Sequence, residues 1–182
     1  MNKFFIKTMG CKSNQFEGQV IMQNLLANGF EQVQNEKDAD FYILNSCTVT
    51  QKSDNEALYL LRHAHNIGLK TILTGCVAQI GKENLLTEDY IDYIFGNEDK
   101  FRLHEYLKNN EHYKVTDLMG KKEFCKTVLE DTSKTRINLK IQDGCDNRCS
   151  YCIIPFARGK SRSADEDFII NEINKYAENT SK

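Results

Sequence analysis

Short apolar runs alternate with amphipathic stretches along residues 1–110. Residues 3–9, KFFIKTM, read as a strand. Residues 14–28 read as a helix that sets Phe16, Val20 and Leu25 at helical spacing, with Gly29 as its stop. Residues 40–46, DFYILNS, form a second apolar run of strand length. The stretch 53–67 predicts a helix with Ala57, Leu58, Leu60, Leu61 and Ala64 on its buried side, and Ser53 followed by Glu56 fits a capping box. Residues 70–74 predict a third strand, 78–88 a helix, 90–95 a fourth strand and 98–109 a further helix.

Alternation of this kind implies an α/β fold, a mainly parallel sheet covered on both faces in three layers, of the Rossmann or flavodoxin type. The pattern then changes. Residues 111–135 are polar, mixed in charge and nearly aperiodic, and read as a connector with room for one short hairpin. Residues 136–144 predict a new strand, in which Ile137, Leu139 and Ile141 alternate. A cysteine-rich loop follows. Residues 165–182 predict a helix capped by Ser163 or Asp165. The plan is therefore an α/β domain over 1–110, a connector over 111–135 and a second region over 136–182.

Composition narrows the classes. Of 182 residues, 40% are apolar and 27% charged, enough for a packed core and too apolar for disorder. The net charge of −2 argues against a wholly basic nucleic-acid coat. It leaves room for a local patch: residues 136–163 hold six Lys/Arg against two Asp/Glu. There is no apolar run of membrane-spanning length, and MNKFFIKTMGCK does not read as a secretory signal. Seven cysteines, odd in number and dispersed, suit reduced thiols in the cytoplasm better than a disulfide framework.

The cysteines carry the strongest chemical signal. Cys145, Cys149 and Cys152 follow C-x3-C-x2-C spacing directly after a predicted strand. Three thiolates this close repel one another and invite oxidation, and a soft metal centre resolves both problems. Structural zinc usually closes with four protein ligands, so three leave a metal position open. The competing readings are a buried thiol cluster or a zinc knuckle that borrows a distant ligand. Cys11, Cys47 and Cys76 each stand one or two residues past a predicted strand end, so they converge on one edge of a parallel sheet. Gly10, Ser46 and Gly75 beside them let the backbone approach a bulky group. A lone cysteine at a strand end is more often a small buried residue, but three in equivalent positions favour a shared metal site. Cys125 has no partner at ligand spacing and reads as an incidental thiol.

Weaker signals lie around these. Arg158, Lys160 and Arg162 suit phosphates of a nucleic acid, a cofactor carboxylate or an ordinary solvated loop. Asn14 and Asn45 suit bonds to loop backbone near the dispersed cysteines or simple turn stabilisation. Pro155 fixes the chain as it leaves the cysteine loop. His63, His65, His104 and His112 suggest no catalytic role.

Taken together, GCKSNQ, NSCTVT, TGCVAQ and QDGCDNRCSYCIIPFARG resemble the radical S-adenosylmethionine methylthiotransferases that act on tRNA and ribosomal protein. The four motifs stand in the family order and cover nearly the whole chain. GCKSNQFE and CIIPFARG resemble most the branch acting on threonylcarbamoyl-adenosine at position 37 of tRNA; the isopentenyl-adenosine and ribosomal-protein branches are the nearest relatives. The family usually has an arginine where Ala164 stands here, so its arginine cluster does not carry over whole.

The resemblance implies two [4Fe–4S] clusters, one on Cys145, Cys149 and Cys152 and an auxiliary one on Cys11, Cys47 and Cys76. It implies that the open iron of the first cluster chelates S-adenosylmethionine, that reduction yields a 5′-deoxyadenosyl radical, and that Tyr151 lies near the adenine of that cofactor. The auxiliary cluster would deliver the inserted sulfur. The implied partners are the tRNA anticodon loop and an electron donor such as flavodoxin or ferredoxin. A different class remains beside it, a non-catalytic iron–sulfur or zinc protein. Residues 136–182 are far too few for a β/α barrel, which needs ~200 or more. The expectation is a complete α/β domain followed by the first βα unit of a truncated radical barrel, catalytically incompetent alone.

Overall fold

The computed structural model describes residues 2–130 and 138–180. Its first part is a six-stranded sheet in which every neighbouring pair is parallel. The elements run β1 (Lys3–Thr8), α1 (Lys12–Ala27), β2 (Glu31–Gln32), β3 (Phe41–Ser46), α2 (Gln51–Asn66), β4 (Lys70–Gly75), α3 (Cys76–Gly81), β5 (Tyr93–Phe95), α4 (Leu103–Lys108) and β6 (Tyr113–Lys114). Short 3₁₀ turns cover Glu36–Asp38, Lys82–Thr87 and Asp99–Arg102.

Strand order is β2-β1-β3-β4-β5-β6. The chain therefore builds outward from β1 to β2, then returns and builds the other way from β3. Crossovers between parallel strands are right-handed, so this reversal sends α1 and α2 to opposite faces. Two separate cores record it. On one face Ala57, Leu61 and Ala64 of α2 pack on Tyr42, Leu44, Leu73 and Ile94. On the other, Ile21 and Leu25 of α1 and Leu103 and Tyr106 of α4 pack on Phe4, Ile43, Ile72 and Phe95. Tyr42 and Leu44 point one way and Ile43 the other, which is why DFYILNS reads as an unbroken apolar run: β3 is buried on both faces.

Several boundaries differ from the sequence reading. The N-cap of α2 is Thr50, whose hydroxyl accepts from the Ser53 N–H at 3.2 Å; Ser53 lies inside the helix. The predicted helix 78–88 begins at Cys76 and gives way to a 3₁₀ turn at Lys82, which adopts φ +44° and breaks the α ladder. Among its described residues, the connector contributes β6, which pairs parallel with β5, in place of the expected hairpin.

The second part is small. The predicted strand 136–144 lies partly outside the described residues, and its described remainder forms only β7 (Gln142–Asp143). That strand pairs antiparallel with β8 (Arg162–Ser163), because the chain doubles back after the cysteine loop and α5 (Ile154–Arg158). Helix α6 (Glu166–Thr180) follows, and its cap is Asp165, whose Oδ1 accepts from the Phe168 N–H at 2.8 Å.

Candidate functional site

The point where the strand order reverses lies between the carboxyl ends of β1 and β3, and open α/β sheets bind ligands outside such a point. Cys11 follows β1 as the N-cap of α1, Cys47 follows β3, and Cys76 opens α3 directly after β4. Cys47 and Cys76 are buried and Cys11 is exposed. Burial pushes the Cys47 thiol up, and the nearby Cys76 and Cys11 push it the same way.

The loops that bring them together are tied by amides. Asn14 Nδ2 donates to the carbonyls of Met9 (2.7 Å), Asn45 (3.1 Å) and Ser46 (3.0 Å), joining the Cys11 and Cys47 loops. Asn45 Nδ2 donates back to Asn14 O at 2.9 Å. Ser46 Oγ donates to Thr74 O at 2.5 Å and accepts from the Val77 N–H at 3.1 Å, which joins the Cys47 loop to α3. Gly10 sits at φ +89°, and a Cβ there would fall 2.5 Å from the Cys47 sulfur. Only glycine lets the first loop close over the second cysteine.

The second cysteine set lies in the loop between β7 and α5. Cys145 and Cys152 are half-buried and Cys149 is exposed. The Cys145 N–H donates to Gly159 O at 3.1 Å and the Cys152 N–H to Cys149 O at 3.0 Å. Gly144, at φ +78°, packs where a Cβ would meet Lys160 O at 2.2 Å. Tyr151 is 89% exposed, its ring free to meet a ligand. The loop adjoins the first set: Asn97 Nδ2 donates both to Cys76 Sγ (3.7 Å) and to Ala157 O of α5 (2.8 Å).

Among the described residues, no three His, Cys, Asp or Glu side chains gather as they would around a single metal ion. A polynuclear cluster holds its thiolates farther apart than one ion does. Three thiols at one sheet edge, a glycine closing over Cys47 and an amide donating to Cys76 fit such a cluster. The loop of 145–152 supplies three thiols on a short, turned segment that is open to solvent on one side.

Between the sets lies a buried ionic network that the sequence reading missed. Glu17 of α1 is 1% exposed. Its carboxylate accepts from Lys100 Nζ (2.6 Å), Lys140 Nζ (2.5 Å) and both terminal nitrogens of Arg158 (2.7 and 2.9 Å). Asp143 adds bonds from Arg158 (2.8 Å) and Lys140 (3.1 Å), and a longer one from Arg162 (3.4 Å). Burial alone would raise the Glu17 carboxyl, but Lys100, Arg158 and Lys140 together hold it well below the usual carboxylate range. Arg158 and Arg162 are thereby turned inward and buried, which corrects both the solvated-loop and the phosphate-contact readings of these two residues. Glu17 was findable: it stands at i+3 from Asn14 and i−4 from Ile21, the one charge on an otherwise buried stripe. Cys125, read as an incidental thiol, packs partly buried against Phe16, Val20, Phe101 and Leu129.

Comparison with known proteins gives a consistent picture. Residues 3–96 match the family described as "Uncharacterized protein family UPF0004". A protein of Rickettsia prowazekii named threonylcarbamoyladenosine tRNA methylthiotransferase MtaB is 35% identical over 171 residues, 92% of this chain and 39% of its own length. One of the same name from Aquifex aeolicus is 34% identical over 97% of this chain and 45% of its own. A tRNA-2-methylthio-N(6)-dimethylallyladenosine synthase of Pelagibacter ubique is 30% identical over the whole chain and 44% of its own length. The chain spans about two fifths of the length of the curated relatives it matches.

Proposed function

The chain belongs to Uncharacterized protein family UPF0004, and from that premise we propose that it carries the two cluster sites of a radical S-adenosylmethionine tRNA methylthiotransferase. The observation that carries this reading is the convergence of Cys11, Cys47 and Cys76 at the strand-order reversal, joined through Asn97 to the segment that follows Cys145, Cys149 and Cys152. When bound, the two [4Fe–4S] clusters would pass on an electron from the external donor and supply the sulfur, and S-adenosylmethionine would supply the radical and the methyl group, for replacing an aromatic C–H bond by a methylthio group.

The chain's own residues hold and orient these groups. Cys145, Cys149 and Cys152 leave one iron of their cluster free for the cofactor, and Tyr151 offers its exposed ring to the cofactor's adenine. Cys11, Cys47 and Cys76 hold the second cluster, half sheltered by Gly10 and the amide-tied loops. The substrate we favour is threonylcarbamoyl-adenosine at position 37 in the tRNA anticodon loop, because GCKSNQFE and CIIPFARG resemble that branch and relatives of that name align over nearly the whole chain. The second reading, isopentenyl-adenosine, is favoured by the Pelagibacter relative. A tRNA substrate places the work in the cytoplasm, with a flavodoxin or ferredoxin as electron donor. No helix among the described residues is long and apolar enough to cross a membrane.

Nucleoside mass spectrometry of tRNA from a strain lacking the gene tests the proposal. Loss of the methylthio group from threonylcarbamoyl-adenosine supports it, loss from isopentenyl-adenosine moves it to the other branch, and an unchanged profile refutes it.

A further inference from the structure

Asn97 is placed by four bonds, and they fix which way its amide points. Its backbone N–H donates to Gln79 Oε1 at 2.9 Å. Its Oδ1 accepts from Lys100 Nζ at 2.9 Å, and its Nδ2 donates to Ala157 O at 2.8 Å and to Cys76 Sγ at 3.7 Å. An ammonium can only donate and a carbonyl can only accept, so exchanging the amide oxygen and nitrogen would break two bonds at once. An N–H of Asn97 is therefore committed to the Cys76 sulfur.

Lys100 stands behind that donor. It is fully buried, and its three donors are spent on Glu17 Oε2 (2.6 Å), Asn97 Oδ1 (2.9 Å) and Asn45 Oδ1 (3.4 Å). A cation on Oδ1 polarises the amide and strengthens the bond that its N–H makes to sulfur. The surrounding charge is not balanced by the described side chains: Glu17 and Asp143 face Lys100, Lys140, Arg158 and Arg162. Buried charge is costly unless paired, so an anionic group held at Cys76 would find this excess of positive charge one amide away.

We propose that Asn97 and Lys100 form a positioning relay that raises the reduction potential of the cluster held by Cys11, Cys47 and Cys76. The inference rests on the reading that those cysteines hold a cluster. Reduction adds an electron to a group already bearing thiolate charge. A hydrogen bond to a ligand sulfur and a nearby excess of positive charge both favour the more negative state, so both raise the potential. Neither residue ligates iron; they act through Cys76.

The test uses the full chain with Cys145, Cys149 and Cys152 replaced by alanine, reconstituted anaerobically with iron and sulfide. The midpoint potential is read by electron paramagnetic resonance during titration with titanium(III) citrate. Asn97→Leu and Lys100→Met are expected to move the midpoint to lower potential, and Lys100→Arg, which keeps the charge, to return it toward the parent value. Asn97→Ser, a smaller change, covers the case in which Asn97→Leu fails to fold, and is expected to move the midpoint the same way. Folded, iron-loaded variants whose midpoints coincide with the parent overturn the relay. A parent protein that takes up no iron overturns instead the cluster reading beneath it.

Discussion

Replacing Glu17 by glutamine removes one negative charge and almost no volume. In the native protein that carboxylate takes hydrogen bonds from Lys100, Lys140 and Arg158 at 2.5 to 2.9 Å, in a position 1% exposed. The variant leaves three cations facing one another, with Asp143 as the remaining nearby carboxylate. Breaking one side of a buried ion pair costs about 3–5 kcal/mol, a large part of the ~5–15 kcal/mol that holds a domain folded. Urea denaturation followed by circular dichroism measures the loss as a fall in midpoint. A second measurement locates it. Lys140 and Arg158 belong to the small second part and Glu17 to α1, so amide exchange in 140–162 is expected to rise first.

The same carboxyl makes a pH prediction. It is held below its ordinary value in the folded state, so its stabilising contribution is complete above the unfolded pKa of about 4.3. That contribution is lost as pH falls through the lower folded value. Stability therefore declines below about pH 5, and Glu17→Gln flattens that decline. A loss under ~1 kcal/mol for Glu17→Gln, the range of an exposed pair, or an unchanged pH profile, would refute the view that this network is dry and joins the two parts.

Gly10→Ala sets a Cβ 2.5 Å from the Cys47 sulfur at a φ of +89°, and should cost ~1 kcal/mol or more and reduce iron uptake, read by thermal denaturation and iron assay. Leu61→Ala empties a fully buried position under α2 and should cost ~2–5 kcal/mol by chemical denaturation without altering iron content. Thr50→Ala removes the α2 cap bond to the Ser53 N–H and should cost about 1 kcal/mol in the same assay. Serine at Cys11, Cys47 and Cys76 together should abolish one of two cluster signals and leave the other; loss of both, or of neither, refutes two independent sites.

The sheet and the meeting of Cys11, Cys47 and Cys76 were legible because both follow from local rules. Apolar runs of strand length separated by helical stretches demand parallel strands, and a residue just past each strand end must fall on one edge. The ionic network was not legible for the opposite reason. Lys140 lies 123 residues from Glu17 and Arg158 lies 141 residues away, and no periodicity announces such a pairing. Arg158 and Arg162 looked like a basic surface stretch because sequence shows charge but not the carboxylates waiting inside. The strand read over 136–144 had good alternation, yet Lys140 turns inward to Glu17, and among the described residues the ladder takes in Gln142 and Asp143, with Ile141 O accepting from the Ala164 N–H beside it. Tertiary ion pairing overrode local pattern there. Ser53 reads as the cap of α2, but its own N–H donates to Thr50 Oγ1, which sets the cap three residues earlier.

The sheet tapers. Strands β1, β3 and β4 are six residues long and β5 three, while β2 and β6 at the margins are two each. A growing β-stack needs a run of unpaired amides and carbonyls on which a foreign strand can settle, and two residues offer almost none. Both margins are thus poor seeds for strand-to-strand polymerisation. Strands β3 and β4 lie inside the sheet between neighbours, β2 covers β1 at Lys3 and Phe4, and these long strands lead into the cysteines at their carboxyl ends.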